Sequence, residues 1–199
     1  MQKMHYEMKP LTCDPSRLAG LSERLILSHY ENNYGGAVKR LNAITEQLAE
    51  LDFTRAPTFV INGLKREELI ATNSMILHEA YFESLGAASA SAALQAQLDQ
   101  DFGGHDQWAA QFAAMGKALA GGSGWVLLTW SPRDGKLRNI WAADHTHNLV
   151  GGMLILALDM YEHSYHLDYG AKAAAYVDAF MNNLNLTAAS EKLHALQGA

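Results

Sequence analysis

The clearest indication of fold class is in residues 125–141, WVLLTWSPRDGKLRNIW. Two apolar, aromatic-rich runs, 125–130 and 137–141, flank a segment that contains Pro, Asp and Gly, and this pattern is typical of a β-hairpin. A third apolar run, Met153 to Leu158, follows after a short interval. We therefore predict a small three-stranded antiparallel sheet in the second half of the chain.

Helical patterns dominate the chain before this sheet. Apolar residues at helical spacing predict one long helix over residues 22–51 and a second over 65–85. Gly35 and Gly36 interrupt the first of these, which predicts a kink or a close helix contact there. A short link joins the two helices, and this favours an antiparallel helical hairpin.

Shorter helices are predicted near residues 92–102 and 106–119, and helical patterns resume after the third apolar run. The order of helices, strands and helices lacks the strand–helix alternation of a parallel sheet, so it predicts an α+β fold. We expect an N-terminal helical hairpin domain over residues 1–88 and a C-terminal α/β domain over residues 89–199.

Composition excludes several classes of function. The chain has 199 residues, of which 49% are apolar and 18% charged, as in a folded soluble domain. Its net charge of −6 and lack of a basic run argue against nucleic acid as a partner. No apolar run reaches the roughly 20 residues of a membrane helix, so no membrane partner is expected. Residues 1–10 lack the apolar centre of a signal peptide, which predicts a cytoplasmic protein.

The residues with the clearest chemical content are Asp159 and His163, which come directly after the third apolar run. A carboxylate that faces inward at the end of a strand needs a compensating charge, and a cation is the usual one. His163 reaches the same point if the chain turns into a helix after Asp159. The alternative from these two residues alone is that Asp159 orients His163 or caps a helix.

Two further histidines, His29 and His78, lie in the apolar segments of the two long helices. A histidine alone in such a segment is most often a core residue with satisfied ring nitrogens, and this alternative stays open for each. Together with Asp159 and His163, they favour a shared metal. Three imidazoles and one carboxylate suit iron, manganese or zinc. Iron or manganese would allow redox chemistry, whereas zinc would act only as a Lewis acid, as in a hydrolase.

Residues 159–165, DMYEHSY, resemble the D-x-W-E-H-A-Y signature of the iron/manganese superoxide dismutases. His29 and Asn42 match the first-helix pattern H-x12-N of this family, and His78 matches its second ligand. Residues 122–125, GSGW, resemble its G-S-G-W turn. The resemblance covers nearly the whole chain, and it implies the same helical hairpin and three-stranded sheet that the periodicity predicts.

The resemblance also implies an activity and a cofactor. Members convert superoxide to dioxygen and hydrogen peroxide by alternate reduction and reoxidation of one iron or manganese ion per subunit. The ligands carry over as His29, His78, Asp159 and His163. Glu162 corresponds to a residue that reaches the other subunit's metal-ligating histidine, so the resemblance implies a homodimer, with His166 placed at the same interface.

Family enzymes hydrogen-bond the solvent ligand of the metal through a Gln or, in some members, a His. The Gln is absent here. The resemblance points to His145 as the residue with this catalytic role and leaves His147 as the alternative. Ser74 stands where some iron members place their Gln, and its small side chain leaves room for a group from the other layer.

Other positions depart from the family around its substrate gate. The family has a Tyr eight residues after the first ligand and commonly a His four residues after it, and here these are Ala37 and Asn33. Its Arg ten residues after the last ligand is Ala173. Tyr34 is the nearest tyrosine, and we predict a catalytic role for it, although on a regular α-helix it would face away from His29. The alternative function is a metal-binding or structural member with altered catalysis.

Overall fold

The computed structural model describes residues 5–198, which form helices around one three-stranded sheet. This confirms the predicted α+β class. Residues 1–4 and 199, which belong to the predicted domains 1–88 and 89–199, lie outside the described residues. The division into two domains stays a prediction.

The N-terminal part of the chain is dominated by the helical hairpin. Its two arms pack against each other along the helices Gly35–Glu50 and Thr58–Glu83. Ser22 begins the first arm, because its side chain accepts a hydrogen bond from the Leu25 N–H at 3.0 Å. The elements are a 3-10 turn (Pro15–Arg17), α1 (Glu23–Ser28), a π-helix (His29–Tyr34), α2 (Gly35–Glu50) and α3 (Thr58–Glu83).

The predicted interruption of the first helix takes the form of the π-helix directly before Gly35. Hydrogen bonds from residue i to i+5 place residues that are five positions apart on nearly the same face. His29 and Tyr34 are therefore both buried, at 1% exposure each. The rings of both residues also pack on that of His78, so Tyr34 does not face away from His29 as regular α-helical spacing predicts.

The second arm begins earlier than predicted, at Thr58 instead of residue 65. Pro57 precedes it, and the fixed φ of proline suits the start of a helix. Phe59 is 76% exposed in the first turn, so this end of the helix shows no clear apolar face. The apolar periodicity alone therefore missed its beginning.

The C-terminal part contains the sheet and five helices of the described chain. The central strand β1 pairs with β2 on one side and β3 on the other, both antiparallel, as predicted. The strands are β1 (Trp125–Ser131), β2 (Lys136–Ala142) and β3 (Met153–Asp159). The helical elements are α4 (Ala92–Phe102), α5 (His105–Ala118), a 3-10 turn (Glu162–Ser164), α6 (His166–Tyr169), α7 (Ala173–Asn182) and α8 (Thr187–Gln197).

Gly124 fixes where β1 begins. Its φ is +139°, and a Cβ added here would lie 2.3 Å from the carbonyl oxygen of Ala142, so only glycine fits. The Gly124 carbonyl accepts a hydrogen bond from the Met160 N–H at 2.9 Å. Because Trp125 pairs in register with Asp159, the start of β1 and the end of β3 are held together. This contact sets the position of Asp159.

The hairpin and the sheet share one core. Helix α3 packs against β3, and every residue of β1 is buried between the layers. Of the helices within residues 5–198, none combines the length and the apolar character that a membrane crossing requires. The core thus positions three separate parts of the chain, the π-helix, α3 and the end of β3, around one buried point.

Candidate metal centre

Four side chains converge where the hairpin meets the sheet. His29 begins the π-helix, His78 lies near the end of α3, Asp159 ends β3, and His163 lies in the 3-10 turn that follows. One potential ligand atom from each residue lies within 4.8 Å of the others. Residues that are distant in sequence therefore form one compact donor set, as the sequence predicted.

The Asp159 carboxylate faces all three imidazoles. Its Oδ2 atom lies 3.1 Å from Nε2 of His29, 3.6 Å from Nε2 of His78 and 3.1 Å from Nε2 of His163. The side chains of Asp159 and His29 are fully buried, and that of His163 is 26% exposed. The centre is therefore closed to solvent on all but the His163 side.

Three buried nitrogens at this point lack hydrogen-bond partners among the described residues. They are Nδ1 and Nε2 of His29 and Nε2 of His78. A buried polar atom without a partner costs about 1–3 kcal/mol, and native proteins avoid this arrangement. A cation bound by the Nε2 atoms and Asp159 Oδ2 would satisfy two of these nitrogens at once, so the residues fit a metal ion.

The backbone around Asp159 holds its carboxylate in place. The Tyr161 N–H donates to Oδ1 at 2.8 Å, which leaves Oδ2 to face the histidines. The Asp159 carbonyl accepts hydrogen bonds from Ser164 Oγ at 2.9 Å and from the Tyr176 hydroxyl at 2.8 Å. These contacts turn the chain sharply after β3, which brings His163 back to the same point.

His78 is oriented by the helix that carries it. Its Nδ1 lies 2.6 Å from the carbonyl oxygen of Ser74, one turn earlier in α3. A carbonyl can only accept, so Nδ1 carries the proton and Nε2 keeps its lone pair for a ligand. Such a contact is typical of metal-binding histidines, because it fixes both the tautomer and the ring orientation.

The charge states of the donor set also suit a cation. Burial lowers the pKa of His29, and burial with the nearby His29 lowers the pKa of His78 to about 3, so both rings are neutral. Burial alone would raise the pKa of Asp159, but His163 and His29 outweigh it and the pKa falls far below the usual range. The carboxylate is therefore ionised beside neutral imidazoles.

His145 lies beside this donor set, on the loop between β2 and β3. Its ring centroid is 6.2 Å from that of His78 and 4.8 Å from that of Tyr161, with which it stacks. Trp125 Nε1–H donates to Nδ1 of His145 at 3.0 Å, and Asn73 Nδ2 donates to its backbone carbonyl at 2.6 Å. Burial lowers the pKa of His145, so the ring is neutral with its proton on Nε2.

Comparison with known proteins gives consistent matches. Residues 90–192 match the C-terminal domain of the iron/manganese superoxide dismutases. The chain is 68% identical over 193 residues to "Superoxide dismutase [Fe]" of Cupriavidus metallidurans, covering 96% of this chain and 98% of that protein. The chain belongs to the iron/manganese superoxide dismutase family.

More distant relatives in this family carry either metal in their names. "Superoxide dismutase [Fe]" of Aquifex pyrophilus is 33% identical, over 89% of this chain and 86% of that protein. "Superoxide dismutase [Mn] 1" of Halobacterium salinarum is 34% identical, over 88% of each chain. The donor set of this chain thus occurs in a family with both iron- and manganese-named members, and it fits one such ion per subunit.

His145 and His147 are the two candidates for the residue that hydrogen-bonds the solvent ligand of the metal, and they occupy different surroundings. His145 lies against Trp125 and Tyr161 next to the centre, whereas the exposed His147 pairs through Nδ1 with Asp144 Oδ1 at 2.9 Å. Tyr161 replaces the Trp of the family signature, and it stacks between His145 and His163. The arrangement favours His145 over His147 for contact with the centre.

Tyr34 touches the centre through its ring only. The ring stacks on that of His78, with centroids 6.4 Å apart. Its hydroxyl accepts from the Lys9 N–H at 2.8 Å and donates to Glu79 Oε1 at 3.1 Å. Burial raises the pKa of Tyr34 to about 12, so the hydroxyl keeps its proton. The catalytic role of Tyr34 stays a prediction.

A cavity of about 240 Å³ lies between the π-helix, α2, α3 and the His145 loop. Ala37 and Asn33, the residues at the two gate positions, both line it. Its walls include Asn33, Ala37, Arg40, Ala71, Ser74 and His145. The small side chains of Ala37 and Ala71 leave open space next to Ser74, whose carbonyl orients His78.

The residues predicted for a subunit interface are available at the surface of the described chain. Glu162 and His166 are exposed on either side of the buried Ser164, and Leu167 is 47% exposed beside them. Ala173, where the family has an Arg, is buried at the start of α7. No charged side chain can act from that position.

Several residues that support the site escaped the sequence analysis. The sequence predicts Trp125 as the start of a strand and the end of a turn, yet its side chain also sets the tautomer of His145. Asn73 ties the His145 loop to α3, and Tyr176 braces Asp159 from α7. Asn42, matched to the first-helix pattern, binds the Tyr6 backbone at 2.8 and 2.9 Å instead of the centre. Such contacts depend on chain packing, so spacing within one element could not reveal them.

Proposed function

We propose that the protein is a superoxide dismutase with one iron or manganese ion bound by His29, His78, Asp159 and His163. The observation that carries this proposal is the set of buried, neutral imidazole nitrogens without hydrogen-bond partners around one ionised carboxylate, in a chain of this family. The overall reaction converts two superoxide ions and two protons to dioxygen and hydrogen peroxide. An iron or manganese ion at this point supplies one-electron oxidation and reduction.

The protein's own contribution begins with orientation. The Ser74 carbonyl holds the His78 ring and the Tyr161 N–H holds the Asp159 carboxylate, so the donors keep their places when the charge at the centre changes. Preorganised donors reduce the reorganisation that each electron transfer would otherwise require. Burial of Asp159 and His29 excludes bulk water from most of the centre.

The second contribution is control of protons, which the reaction consumes. Trp125 holds His145 in the tautomer that presents Nε2–H, and His145 lines the cavity beside the centre. We assign to His145 the role of hydrogen-bonding solvent at the centre, the role that a Gln or His has in the family. Tyr34 is assigned a supporting role, because its ring packs on His78 while its hydroxyl is engaged with Lys9 and Glu79.

Iron is the metal that we propose. The relative with 68% identity, which is matched over 98% of its length, is named an iron superoxide dismutase. Relatives near one-third identity are named for iron or for manganese, so they do not separate the two. Expression in medium supplied with both metals, followed by elemental analysis, tests this choice.

We also propose a homodimer in which Glu162 and His166 lie at the interface. Both side chains are exposed in the single chain, and Glu162 directly precedes the ligand His163. Light scattering coupled to size-exclusion chromatography tests the dimer, and Glu162→Ala should weaken it. A cytoplasmic location remains the prediction from the sequence, and cell fractionation tests it.

The activity is tested with the purified protein loaded with iron or with manganese. We expect superoxide removal that depends on the bound metal and disappears in the metal-free protein. Stoichiometric iron or manganese without superoxide removal would contradict the proposal and support the alternative of a catalytically altered family member.

A further inference from the structure

The cavity that Asn33 and Ala37 line has a single charged side chain among its described walls. Arg40 is the one formally charged side chain that lines it in the described part of the chain, and no carboxylate of residues 5–198 does so. The remaining polar walls include the amide of Asn33 and the imidazole of His145. A space whose lining carries a guanidinium and no carboxylate favours anions over cations.

The Arg40 side chain lines this cavity and is also exposed to solvent. It is 56% exposed and pairs with Glu67 across α2 and α3. A guanidinium has five N–H donors in a planar fork, so one carboxylate partner does not exhaust it.

The size of the cavity exceeds what superoxide needs. Small residues, among them Ala37 and Ala71, leave about 240 Å³ open. One water molecule takes up about 30 Å³ of the liquid, so the space holds an ion of several heavy atoms. The tyrosine that family members carry at the position of Ala37 would fill much of it.

We propose that this cavity is a binding chamber for small monocarboxylates such as formate and acetate, with Arg40 as their cationic partner. A planar carboxylate matches the guanidinium fork, and the short alkyl group of acetate matches the small apolar wall at Ala37 and Ala71. The proposal goes beyond the proposed function, because none of the four proposed metal ligands lines the chamber.

Calorimetric titration of the metal-loaded protein with sodium acetate tests the chamber. Arg40→Leu should weaken acetate binding about tenfold, the usual loss for one charge-assisted contact. Lys39→Leu is the matched control, because it removes the same charge from the residue directly before Arg40 in α2. Lys39 is exposed and does not line the cavity. Glu67→Gln should strengthen binding severalfold, because it frees Arg40 from its carboxylate partner.

The apolar wall is tested separately with Ala37→Tyr, which should abolish acetate binding by filling the chamber. Circular dichroism shows whether this variant is folded, and the Arg40, Lys39 and Glu67 variants decide the question if it is not. Equal affinity in Arg40→Leu and Lys39→Leu, or absence of acetate binding in the unmodified protein, would overturn the proposal.

The two hypotheses fail in different ways. Superoxide removal by the unmodified protein without acetate decides the proposed function. Arg40-dependent acetate binding without superoxide removal would leave the chamber standing and refute the dismutase. If the protein removes superoxide but acetate binding is absent or independent of Arg40, the dismutase would stand and the chamber would be refuted.

Discussion

The donor set and the wall of the adjoining cavity are neighbours, but they are built differently. The donors are buried, come from three parts of the chain and are braced by the backbone, as His78 is by the Ser74 carbonyl. The cavity wall consists of small or half-exposed residues such as Ala37 and Arg40, whose surroundings would tolerate change. The positions of the metal donors therefore depend on packing throughout the core, whereas the cavity wall depends on a few replaceable side chains.

The largest effect is expected from a change to the donor set itself. Asp159→Asn removes the negative charge that three imidazoles face, while it keeps the size of the side chain. Loss of residues that only support a metal ligand costs 10–100-fold in affinity, so loss of this ligand should cost more than about 100-fold. Elemental analysis after dialysis checks this, and full metal occupancy in the variant would contradict the assignment.

The second-largest effect is expected from removal of the metal, which should lower the free energy of unfolding. The metal-free protein retains buried nitrogens without partners at His29 and His78. An ion at a thousand times its Kd stabilises the folded state by about 4 kcal/mol. For a chain of this size, this corresponds to a shift in Tm of roughly 10 °C. Differential scanning calorimetry with and without chelator measures it, and equal Tm values would show that the ion is not part of the folded core.

The sequence predicted the fold well where local pattern and packing agree. The three strands appear where the apolar runs place them, and α4 spans the predicted residues 92–102. The π-helix at His29 could not be predicted, because its hydrogen-bond shift leaves no mark on an apolar pattern. The start of α3 was missed for a related reason, since Phe59 is exposed there.

The candidate site, like the fold, has parts that the sequence predicts and parts that it does not. The residue types and order of the four ligands were available in the sequence, and the structure brings them together. The contacts that orient these ligands could not be predicted from the sequence, because a backbone carbonyl such as that of Ser74 carries no sequence signal. The position of Arg40 on the cavity wall likewise depends on how α2 packs against α3.

A smaller effect is expected at the boundary between the two regions. His145→Ala should lower superoxide removal about 10–100-fold with metal content unchanged, because we propose that His145 hydrogen-bonds solvent at the centre without belonging to the donor set. His145→Gln keeps an N–H donor and should recover much of the loss. The reduction potential of the bound metal should shift in the Ala variant, and an unchanged potential and rate would contradict the role of His145.

The smallest effect is expected for Tyr34→Phe. The ring contact with His78 is kept, and the lost hydroxyl leaves Glu79 and the Lys9 N–H without this partner. Stability should fall by about 1–2 kcal/mol. Superoxide removal should change less than about threefold, a barrier change under 1 kcal/mol. Urea unfolding and the rate assay measure the two effects. A loss of rate above tenfold at equal metal content would instead support the catalytic role predicted for Tyr34.

Anomalous diffraction from crystals of the metal-loaded protein, recorded at the iron and manganese absorption edges, locates the bound ion. We expect one strong peak per chain, bounded by Nε2 of the three histidines and by Oδ2 of the carboxylate: His29, His78, His163 and Asp159. A peak elsewhere, or histidine rings joined only to one another and to Asp159 in metal-loaded crystals, would show that these four side chains do not form the metal site.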